Sequence, residues 1–588
     1  MADQKNTFLA IVLSLIVLIG WQMMFPPPPP PAPAETAVVS GDAPQAPAAV
    51  PAGGAPTVTA PQGGQVGAPV GAPVAAPVAM TPADRAAAVA NGDRIEIKTA
   101  HIEGSLSLTG ARFDDVTLLQ YRETIDPTSP PIDLLSPVNA PKPYYAELGW
   151  LSADPALPMP GPATTWQARD GATTLTDTQP LVLAWDNGAG LRFTRTIRAD
   201  KNYMFTIEQT VENTGAAAAT LYPYALVSRL DTPVTQGFFI LHEGLLGVFN
   251  GTLKEVDYDE IQDKQRDQVE STGGWIGITD KYWLTAVAFD PAMKVTASFN
   301  HAAAAGRDRY QTDLRGEAVT LAPGEVKSVT SFVFAGAKEV QLLDSYAETL
   351  GITNFDLAID FGWFFFLTKP FFYALIWLRD QLGSYGLAIL AFTVILRLVA
   401  YPLANKQFIA MSKMKKLQPD MQKLQEKYAN DRQRLSQEMM ALYKREGANP
   451  LSGCLPIFIQ IPIFFALYKV LFVTIEMRHA PFYGWIKDLS AADPTSVFNL
   501  FGLLPYDVPS FLVIGAWPIL MGITMWLQQK LNPAPADPIQ AKVFMFLPFL
   551  FTFMLASFPS GLVIYWAWSN LLGIAQQWVI MRRMGVKA

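Results

Sequence analysis

The chain has 588 residues, a formal net charge of −7 and a single cysteine, Cys454. One cysteine excludes an internal disulfide, and the scattered histidines complete no zinc-binding pattern, so we predict no metal site. Half of the residues are hydrophobic, but they are concentrated in particular segments, so the class of protein has to be inferred segment by segment.

Several apolar stretches have the roughly 17 to 25 residues that a helix needs to cross a bilayer core of about 30 Å. They predict transmembrane (TM) helices within residues 1–25, 384–403, 454–476, 511–528, 541–557 and 561–580. The sequence therefore predicts a multispanning α-helical membrane protein with six TM helices.

The first apolar stretch is either an anchor that stays on the protein or a secretory signal peptide. Lys5 precedes it, as in a signal, but the stretch exceeds the roughly 7 to 15 residues of a signal core, and the run PPPPPP follows at once. We therefore predict an uncleaved anchor at residues 1–25. Residues 26–90 consist mainly of Pro, Ala and Gly, which predicts a semi-extended tether.

The composition changes at residues 91–347. Short runs such as RIEIKT, YMFTIEQTVEN and KVTASFN are rich in β-branched and aromatic residues, and Gly, Pro, Asn and Asp separate them. Strand-sized runs of this kind predict a large antiparallel β-sandwich domain.

The next apolar piece, within residues 355–382, contains Lys369 and Pro370, which we expect to break a helix. If this piece crossed the membrane, the strongly basic segment 404–446 would face outwards, whereas basic segments tend to stay in the cytoplasm. We therefore predict that both termini are cytoplasmic and that the β-domain lies outside. The remaining segments are an interfacial amphipathic helix at 355–382, a cytoplasmic hairpin at 404–446, an outer loop at 477–510 and a short basic cytoplasmic tail at 581–588.

Residues 404–446 carry apolar residues at helical spacing in two runs separated by ANDRQ, which predicts a basic helical hairpin. In one interpretation its helices only pack against each other and expose solvated basic faces. In the other, flexible methionines bind apolar polypeptide segments, while the positive charge attracts RNA or lipid headgroups. The sequence favours neither interpretation. The candidate residues are Met411, Met414, Lys415, Lys416, Met421, Met439 and Met440.

The sequence contains no P-loop, no Gly-x-Ser-x-Gly elbow and no His-Glu-x-x-His motif, so we predict no catalytic residue and no cofactor. The unusual feature of the sequence is the presence of polar residues inside predicted spans. Burying a polar residue in lipid costs free energy, so such residues usually face a cavity or a partner. Arg397 and Gln460 each lie six residues from the predicted cytoplasmic end of their span. At a rise of about 1.5 Å per residue, both side chains start about 9 Å inside the bilayer. Thr393 is one turn above Arg397, and Thr524 lies in the inner half of its span. They predict a wet cavity open to the cytoplasm, or else Arg397 merely extends to the inner headgroups.

Residues 436–468, SQEMMALYKREGANPLSGCLPIFIQIPIFFALY, and residues 558–570, FPSGLVIYWAWSN, resemble the most recognisable stretches of a known family. This is the YidC/Oxa/Alb family of membrane protein insertases, specifically its Gram-negative YidC type. The resemblance implies a bacterial inner-membrane protein that inserts newly made membrane proteins and helps them to fold without ATP, alone or with the Sec translocon and its accessory subunits. It also implies a supersandwich of the sugar-mutarotase type for the β-domain, as a scaffold for partners.

The resemblance assigns roles to individual residues. In the family, an arginine lies in a hydrophilic groove that binds the inserted client protein, and Arg397 matches it, with Thr393 and Gln460 matching its neighbours. Tyr565 matches the first of two adjacent family tyrosines, but Trp566 stands at the second, so an aromatic surface is kept and a hydroxyl is lost. Because the tail is short, ribosome contact falls to the hairpin. Nascent membrane proteins, the ribosome, the Sec translocon and the lipid bilayer are the expected partners, with no specific nucleic acid.

A secondary transporter is the main alternative, because it would also place an ionisable residue inside a helix bundle. However, the sequence has no paired halves with matching broken helices, and the basic hairpin would have no role in a transporter. A membrane-tethered carbohydrate enzyme would need a catalytic pair in the β-domain, and we can place none there.

Overall fold

The computed structural model describes residues 82–583, except for 236–240, 305, 429–430, 448–454, 505, 507, 510–512 and 532–537. The predicted anchor lies outside the described residues, as do most of the predicted tether and the last five residues of the predicted tail.

The end of the predicted tether is not extended. Pro82–Val89 forms helix α1, and Arg85 fixes this helix to the β-domain by pairing with Asp133 at 2.8 Å and with Asp115. The prediction of a tether up to residue 90 is therefore wrong at its end, because one arginine in a nearly uncharged stretch finds two carboxylates on the β-domain.

The strands that follow form two sheets. They are β1 (Arg94–Lys98), β2 (Ile102–Ser107), β3 (Arg112–Arg122), β4 (Pro131–Leu135), β5 (Tyr144–Ser152), β6 (Gln167–Ala168), β7 (Thr174–Leu175), β8 (Leu181–Asp186), β9 (Leu191–Ala199), β10 (Met204–Asn213), β11 (Ala219–Leu230), β12 (Gly244–Phe249), β13 (Thr252–Val256), β14 (Arg266–Thr272), β15 (Trp275–Thr279), β16 (Trp283–Phe289), β17 (Lys294–Ala304), β18 (Arg307–Gly316), β19 (Val319–Leu321) and β20 (Val326–Ala337). The 11-stranded sheet has the order β14-β17-β18-β11-β5-β3-β2-β1-β7, with β19 paired to β11 and β4 to β3, and the 9-stranded sheet has the order β13-β12-β15-β16-β20-β10-β9-β8-β6. The predicted β-sandwich is confirmed. Its strands pair in antiparallel fashion, except for β1 and β7, which pair in parallel.

Alternating side chains build the core of the sandwich. Along β9 and β10 buried residues alternate with more exposed ones, so one face of each strand points between the sheets. The core does not end at the last strand. Phe355, in the short 3-10 helix Phe355–Ala358, packs edge-on against Trp275 at 5.2 Å and Phe334 at 5.3 Å. The β-domain and the helices after it therefore share one hydrophobic core.

The second half of the described chain is helical. Following α1, the helices are α2 (Tyr258–Lys264), α3 (Val340–Leu350), α4 (Phe365–Leu382), α5 (Tyr385–Val399), α6 (Tyr401–Lys427), α7 (Arg432–Arg445), α8 (Leu455–Val473), α9 (Ala516–Leu531), α10 (Pro538–Met554) and α11 (Ser560–Arg583). Helix α4 occupies the predicted interfacial segment and continues through Pro370, so the expected break is wrong. A proline in the second turn removes only one helical hydrogen bond.

A bend follows α5. Among the described residues, no single helix is long and apolar enough to span a bilayer; Tyr385–Val399 and Tyr401–Ile409 pass that test only together, with a 64° bend between them. The bend lies before residue 403, the predicted end of the span, and Pro402 is the second residue of the next helix, which begins at Tyr401. The helix pair α6 and α7 accordingly begins three residues before the predicted start of the hairpin at 404.

Polar contacts fasten the β-domain to the helical region. Asp360 pairs with Lys469 of α8 at 2.5 Å and accepts a hydrogen bond from the backbone N–H of His242 in the β-domain at 3.2 Å. The Arg478 guanidinium donates to the carbonyl of Arg122 at 2.7 Å. The Lys281 ammonium lies 4.0 Å from the ring centroid of Phe472. The β-domain thus rests on the end of α8 and on the loop that follows it.

The loop between α8 and α9 is organised by one buried carboxylate. Asp493 is 2% exposed, and its Oδ2 accepts a hydrogen bond from the backbone N–H of Trp517 at 2.9 Å, in the first turn of α9. Its Oδ1 accepts from the indole Nε1 of Trp485 at 3.1 Å and from the Thr495 hydroxyl at 2.7 Å. Asp493 therefore caps α9 from outside the helix.

We predict that Asp493→Ala destabilises the protein by about 2–4 kcal/mol, because it leaves buried donors without an acceptor. Asp126 is the matched control, since its Oδ1 binds the backbone N–H and hydroxyl of Thr128 in the same local pattern on an exposed turn. Thermal unfolding of the full chain in detergent measures both variants. Equal effects of Asp493→Ala and Asp126→Ala would contradict the capping role.

Candidate functional site

Arg397 lies in the last turn of α5 and reaches across to α11. Its Nη2 donates to the carbonyl oxygen of Ser569 at 2.7 Å and to the Ser569 hydroxyl at 2.8 Å. Among the described residues, no carboxylate lies within ion-pair distance of the guanidinium, and Nε and Nη1 make no hydrogen bond. Arg397 is therefore positioned through one nitrogen while its other donors stay available. Helix α5 ends at Val399, two residues after Arg397, and the depth of Arg397 in a bilayer stays a prediction.

A glycine makes room for the guanidinium on α11. Gly573 lies one turn after Ser569, and a Cβ at this position would stand 3.4 Å from Nη2 of Arg397 and 3.1 Å from Nε2 of Gln528. Residues one turn apart lie on the same helix face, so the acceptor oxygens of Ser569 and the space left by Gly573 lie side by side. A larger side chain at Gly573 would compete with Arg397 for this space.

Thr524 of α9 also contacts this face of α11, through Asn570, the residue that follows Ser569. The Asn570 amide donates to the Thr524 hydroxyl at 3.3 Å, and this hydroxyl donates to the carbonyl of Met521 at 2.8 Å. Further along α11, the Gln577 amide donates to the carbonyl of Leu531 at 3.1 Å. Arg397 and Thr524 thus contact adjacent residues of α11, Ser569 and Asn570, and the wet cavity expected from the sequence stays a prediction.

The other predicted neighbours of Arg397 behave differently. Thr393 is buried, and its hydroxyl donates to the carbonyl of Ile389 in its own helix at 2.6 Å, which leaves it no free proton for the cavity. The side chain of Gln460 lies outside the described residues, so its place near Arg397 stays a prediction.

The two predicted aromatic residues lie at the start of the same polar face. Tyr565 is buried one turn before Ser569. The ring of Trp566 packs against Phe464 of α8 at 4.9 Å and against Phe551 of α10 at 5.5 Å. Trp566 therefore connects three helices as a packing residue.

Sequence reasoning missed the polar face of α11, which we define as Ser569, Asn570, Gly573 and Gln577. The available signal was that Ser569, Gly573 and Gln577 recur every four residues, with Asn570 three residues before Gly573, in a largely apolar run.

The hairpin methionines divide into two groups. Met421 and Met439 are buried with Leu417 and Leu442 in the seam between α6 and α7, and Met414 packs partly against this seam. Met440 is 62% exposed. Lys416 is exposed, and the side chains of Met411 and Lys415 lie outside the described residues. The self-packed interpretation fits Met421 and Met439, while Met440 is free to contact another polypeptide.

Known proteins match this chain along its length. The family described as YidC periplasmic domain matches residues 94–374, and the family described as 60Kd inner membrane protein matches residues 377–587. The Membrane protein insertase YidC of Methylobacterium radiotolerans is 50% identical over 595 residues, covering 100% of this chain and 96% of that protein. The proteins of the same name from Bradyrhizobium diazoefficiens and Rhizobium meliloti are 48% and 47% identical, covering 100% of this chain and 97% of each relative.

Two solved structures were also compared. A crystal structure of an active YidC insertase with its first transmembrane domain resolved aligns at 18% identity with a TM-score of 0.34, covering 82% of this chain and 92% of that chain. A galactose mutarotase-like protein from Lactobacillus casei aligns at 12% identity with a TM-score of 0.27, covering 41% of this chain and 99% of that chain.

We predict opposite effects for two substitutions of Gly573. Gly573→Ala should be neutral or stabilising, because the flexible Gln528 side chain can yield and alanine favours a helix by about 1 kcal/mol over glycine. Gly573→Val should destabilise by about 1–3 kcal/mol, because its methyl groups would displace Arg397 from Ser569 and leave the guanidinium without its two hydrogen-bond acceptors. Thermal unfolding of the full chain checks this.

Leu571→Val is the control for β-branching, because Leu571 is exposed on the same helix. A loss with Gly573→Val no larger than with Leu571→Val would contradict the proposed fit of Arg397 against Gly573.

Proposed function

Because this chain belongs to the YidC family of membrane protein insertases, we propose that it integrates newly made proteins into the bacterial inner membrane and helps them to fold. Identity near 50% along the whole chain to proteins named as insertases carries this proposal. Both halves contribute, since the periplasmic-domain family and the inner-membrane family each match one of them.

We propose a multi-pass topology in which the anchor and helices α5, α8, α9, α10 and α11 cross the membrane. The β-domain and the loop after α8 lie in the periplasm, and the hairpin and both termini lie in the cytoplasm. The basic residues of α6 and α7 support this orientation, because positive segments tend to remain in the cytoplasm. The contact of Arg478 with the β-domain supports it as well, since it puts the loop after α8 on the β-domain side.

Arg397 acts in this proposal as a transient counter-charge for acidic residues in a client's amino-terminal tail. A carboxylate at the centre of a membrane helix costs about 2.5–3.5 kcal/mol on insertion scales. Attraction to a guanidinium at about 4 Å offsets roughly 4 kcal/mol at an effective dielectric constant near 20. Nε and Nη1 of Arg397, which make no hydrogen bond to the described part of the chain, are the donors that would make this contact.

Release of the tail follows from the membrane potential. A potential that is negative inside favours outward movement of each negative charge by about 2.3 kcal/mol per 100 mV. Because one nitrogen of Arg397 is already bound to Ser569, the guanidinium holds a carboxylate less tightly than a fully free one would. Insertion can therefore proceed without ATP, in keeping with the absence of a nucleotide-binding motif.

The hairpin would capture apolar client segments on the cytoplasmic side through Met440 and its exposed basic faces, and it would supply the ribosome contact. Cooperation with the Sec translocon belongs to the same proposal. A secondary transporter is not favoured, because the full-length relatives are named insertases. Proteoliposomes separate the two functions, since a transporter moves a solute down its gradient and an insertase integrates a polypeptide.

We predict that Arg397→Ala impairs insertion of a client with an acidic tail much more than insertion of the same client with a neutral tail. Arg397→Lys should keep part of the activity, because lysine retains the charge but loses the forked geometry. Insertion of both client versions into proteoliposomes, with an imposed potential, is the measurement. If the Ala variant impairs both clients equally, the counter-charge role is wrong while the insertase function stands.

We predict that Met440→Ser weakens photocrosslinking of nascent clients to the hairpin and slows insertion, without changing thermal stability. The neighbouring Met439 is the matched control: its side chain is buried in the seam, so Met439→Ser should lower stability instead. Unchanged crosslinking with Met440→Ser would support a hairpin that only packs against itself.

A further inference from the structure

The loop before α9 exposes a run of large apolar side chains. We define the apolar loop by seven of them within residues 497–506, a stretch without any charged residue. Their exposed fractions are 38% for Val497, 47% for Phe498, 52% for Leu500, 49% for Phe501, 82% for Leu503, 40% for Leu504 and 51% for Tyr506. Exposed apolar patches of this kind mark interaction sites, because removing large apolar side chains from water is favourable.

The backbone of the apolar loop pairs with itself. The N–H of Phe501 donates to Ser496 O at 2.7 Å, and the N–H of Leu504 donates to Asn499 O at 3.1 Å. The Tyr506 hydroxyl donates to the carbonyl of Phe498. These polar groups therefore need less water, which suits a loop that lies in a poorly hydrated environment.

The turn at the centre of the loop is strained. Leu500 and Phe501 have φ angles of 51° and 57°, in the left-handed region that bulky residues rarely adopt. Two consecutive residues in this region cost free energy, which has to be offset elsewhere. Burial of the outward-pointing leucine and phenylalanine side chains in an apolar phase would offset it.

The position of the loop indicates which apolar phase surrounds these side chains. The N–H of Val497 donates to Ile514 O at 3.0 Å, and Asp493 fixes the preceding segment to the first turn of α9, so the loop lies beside the start of this helix. The exposed face of α9 is also apolar, with Leu520, Ile523 and Leu527 each more than 40% exposed. The apolar loop therefore continues the surface that α9 presents to lipid.

We propose that the apolar loop is immersed in the periplasmic leaflet of the inner membrane and binds lipid at the level of the headgroups and upper acyl chains. A non-helical backbone exposed to lipid is excluded from the hydrocarbon centre, so immersion ends roughly 5–10 Å below the headgroup boundary. The amphipathic rings of Tyr483, Trp485 and Tyr506 suit this level. This inference depends on the membrane location of the chain and not on its insertase activity.

Depth-dependent fluorescence quenching tests the proposal on the full chain in lipid nanodiscs that hold one copy each. Leu503→Cys in a Cys454→Ser background carries an environment-sensitive label, and Leu500→Cys is a second position in case a label at 503 perturbs folding. Ser328→Cys, on an exposed position of β20, is the aqueous reference. Leu520→Cys on α9 is the reference for lipid contact.

The labels at Leu503 and Leu500 should be quenched several-fold less than the label at Ser328 by a water-soluble nickel chelate. They should be quenched more by lipids brominated near the glycerol than by lipids brominated near the acyl-chain end. Nickel quenching equal to that at Ser328 at both positions would overturn the proposal. Shielding that appears only in nanodiscs with two copies would assign the patch to a second copy and would also overturn it.

Discussion

The helical region depends on one physical constraint, which is that polar groups surrounded by apolar helices must find their partners within the protein. Helix α11 provides most of these partners. Ser569 binds Arg397 of α5, Asn570 binds Thr524 of α9, and the indole of Trp568 donates to the carbonyl of Leu390 at 3.3 Å. At its start, the hydroxyl of Ser560 donates to the carbonyl of Ala491 in the loop between α8 and α9. Helix α11 therefore aligns α5, α9 and this loop at once.

Arg397 differs from arginines of the β-domain in the kind of partner that it finds within the protein. Arg94, Arg112 and Arg229 each face a carboxylate at 2.7 Å or less, so their charges are neutralised inside the domain. Among the described residues, Arg397 has only the dipolar oxygens of Ser569 as partners, and they position the guanidinium without cancelling its charge. An arginine in this state keeps a positive potential beside α11, and under the proposed function an acidic client segment would encounter that potential.

Much of this architecture could be predicted from the sequence, and the exceptions have physical causes. The β-sandwich could be predicted because side chains along a strand alternate between its two faces with a period of two residues. The helices of the second half could be predicted because long apolar runs are rare elsewhere in the chain. Helix α1 and the bend at residue 400 each depend on single residues, Arg85 and Pro402, whose effects come from distant partners or local backbone geometry. Arg397 stood out because charges are rare in apolar runs, whereas Ser569 and Gly573 are small and ordinary in composition, and only their contacts reveal them.

The shared core of the two halves has a consequence for biosynthesis. Ribosomes release the β-domain first, yet Trp275 and Phe334 acquire their partner Phe355 only after the last strand has been made, and Lys281 meets Phe472 more than a hundred residues later still. Part of the surface of the sandwich therefore stays uncovered until α8 has been made. Folding of this chain is a process of high contact order whose last step joins its two halves, so a delay in placing its helices would prolong the exposure of the β-domain.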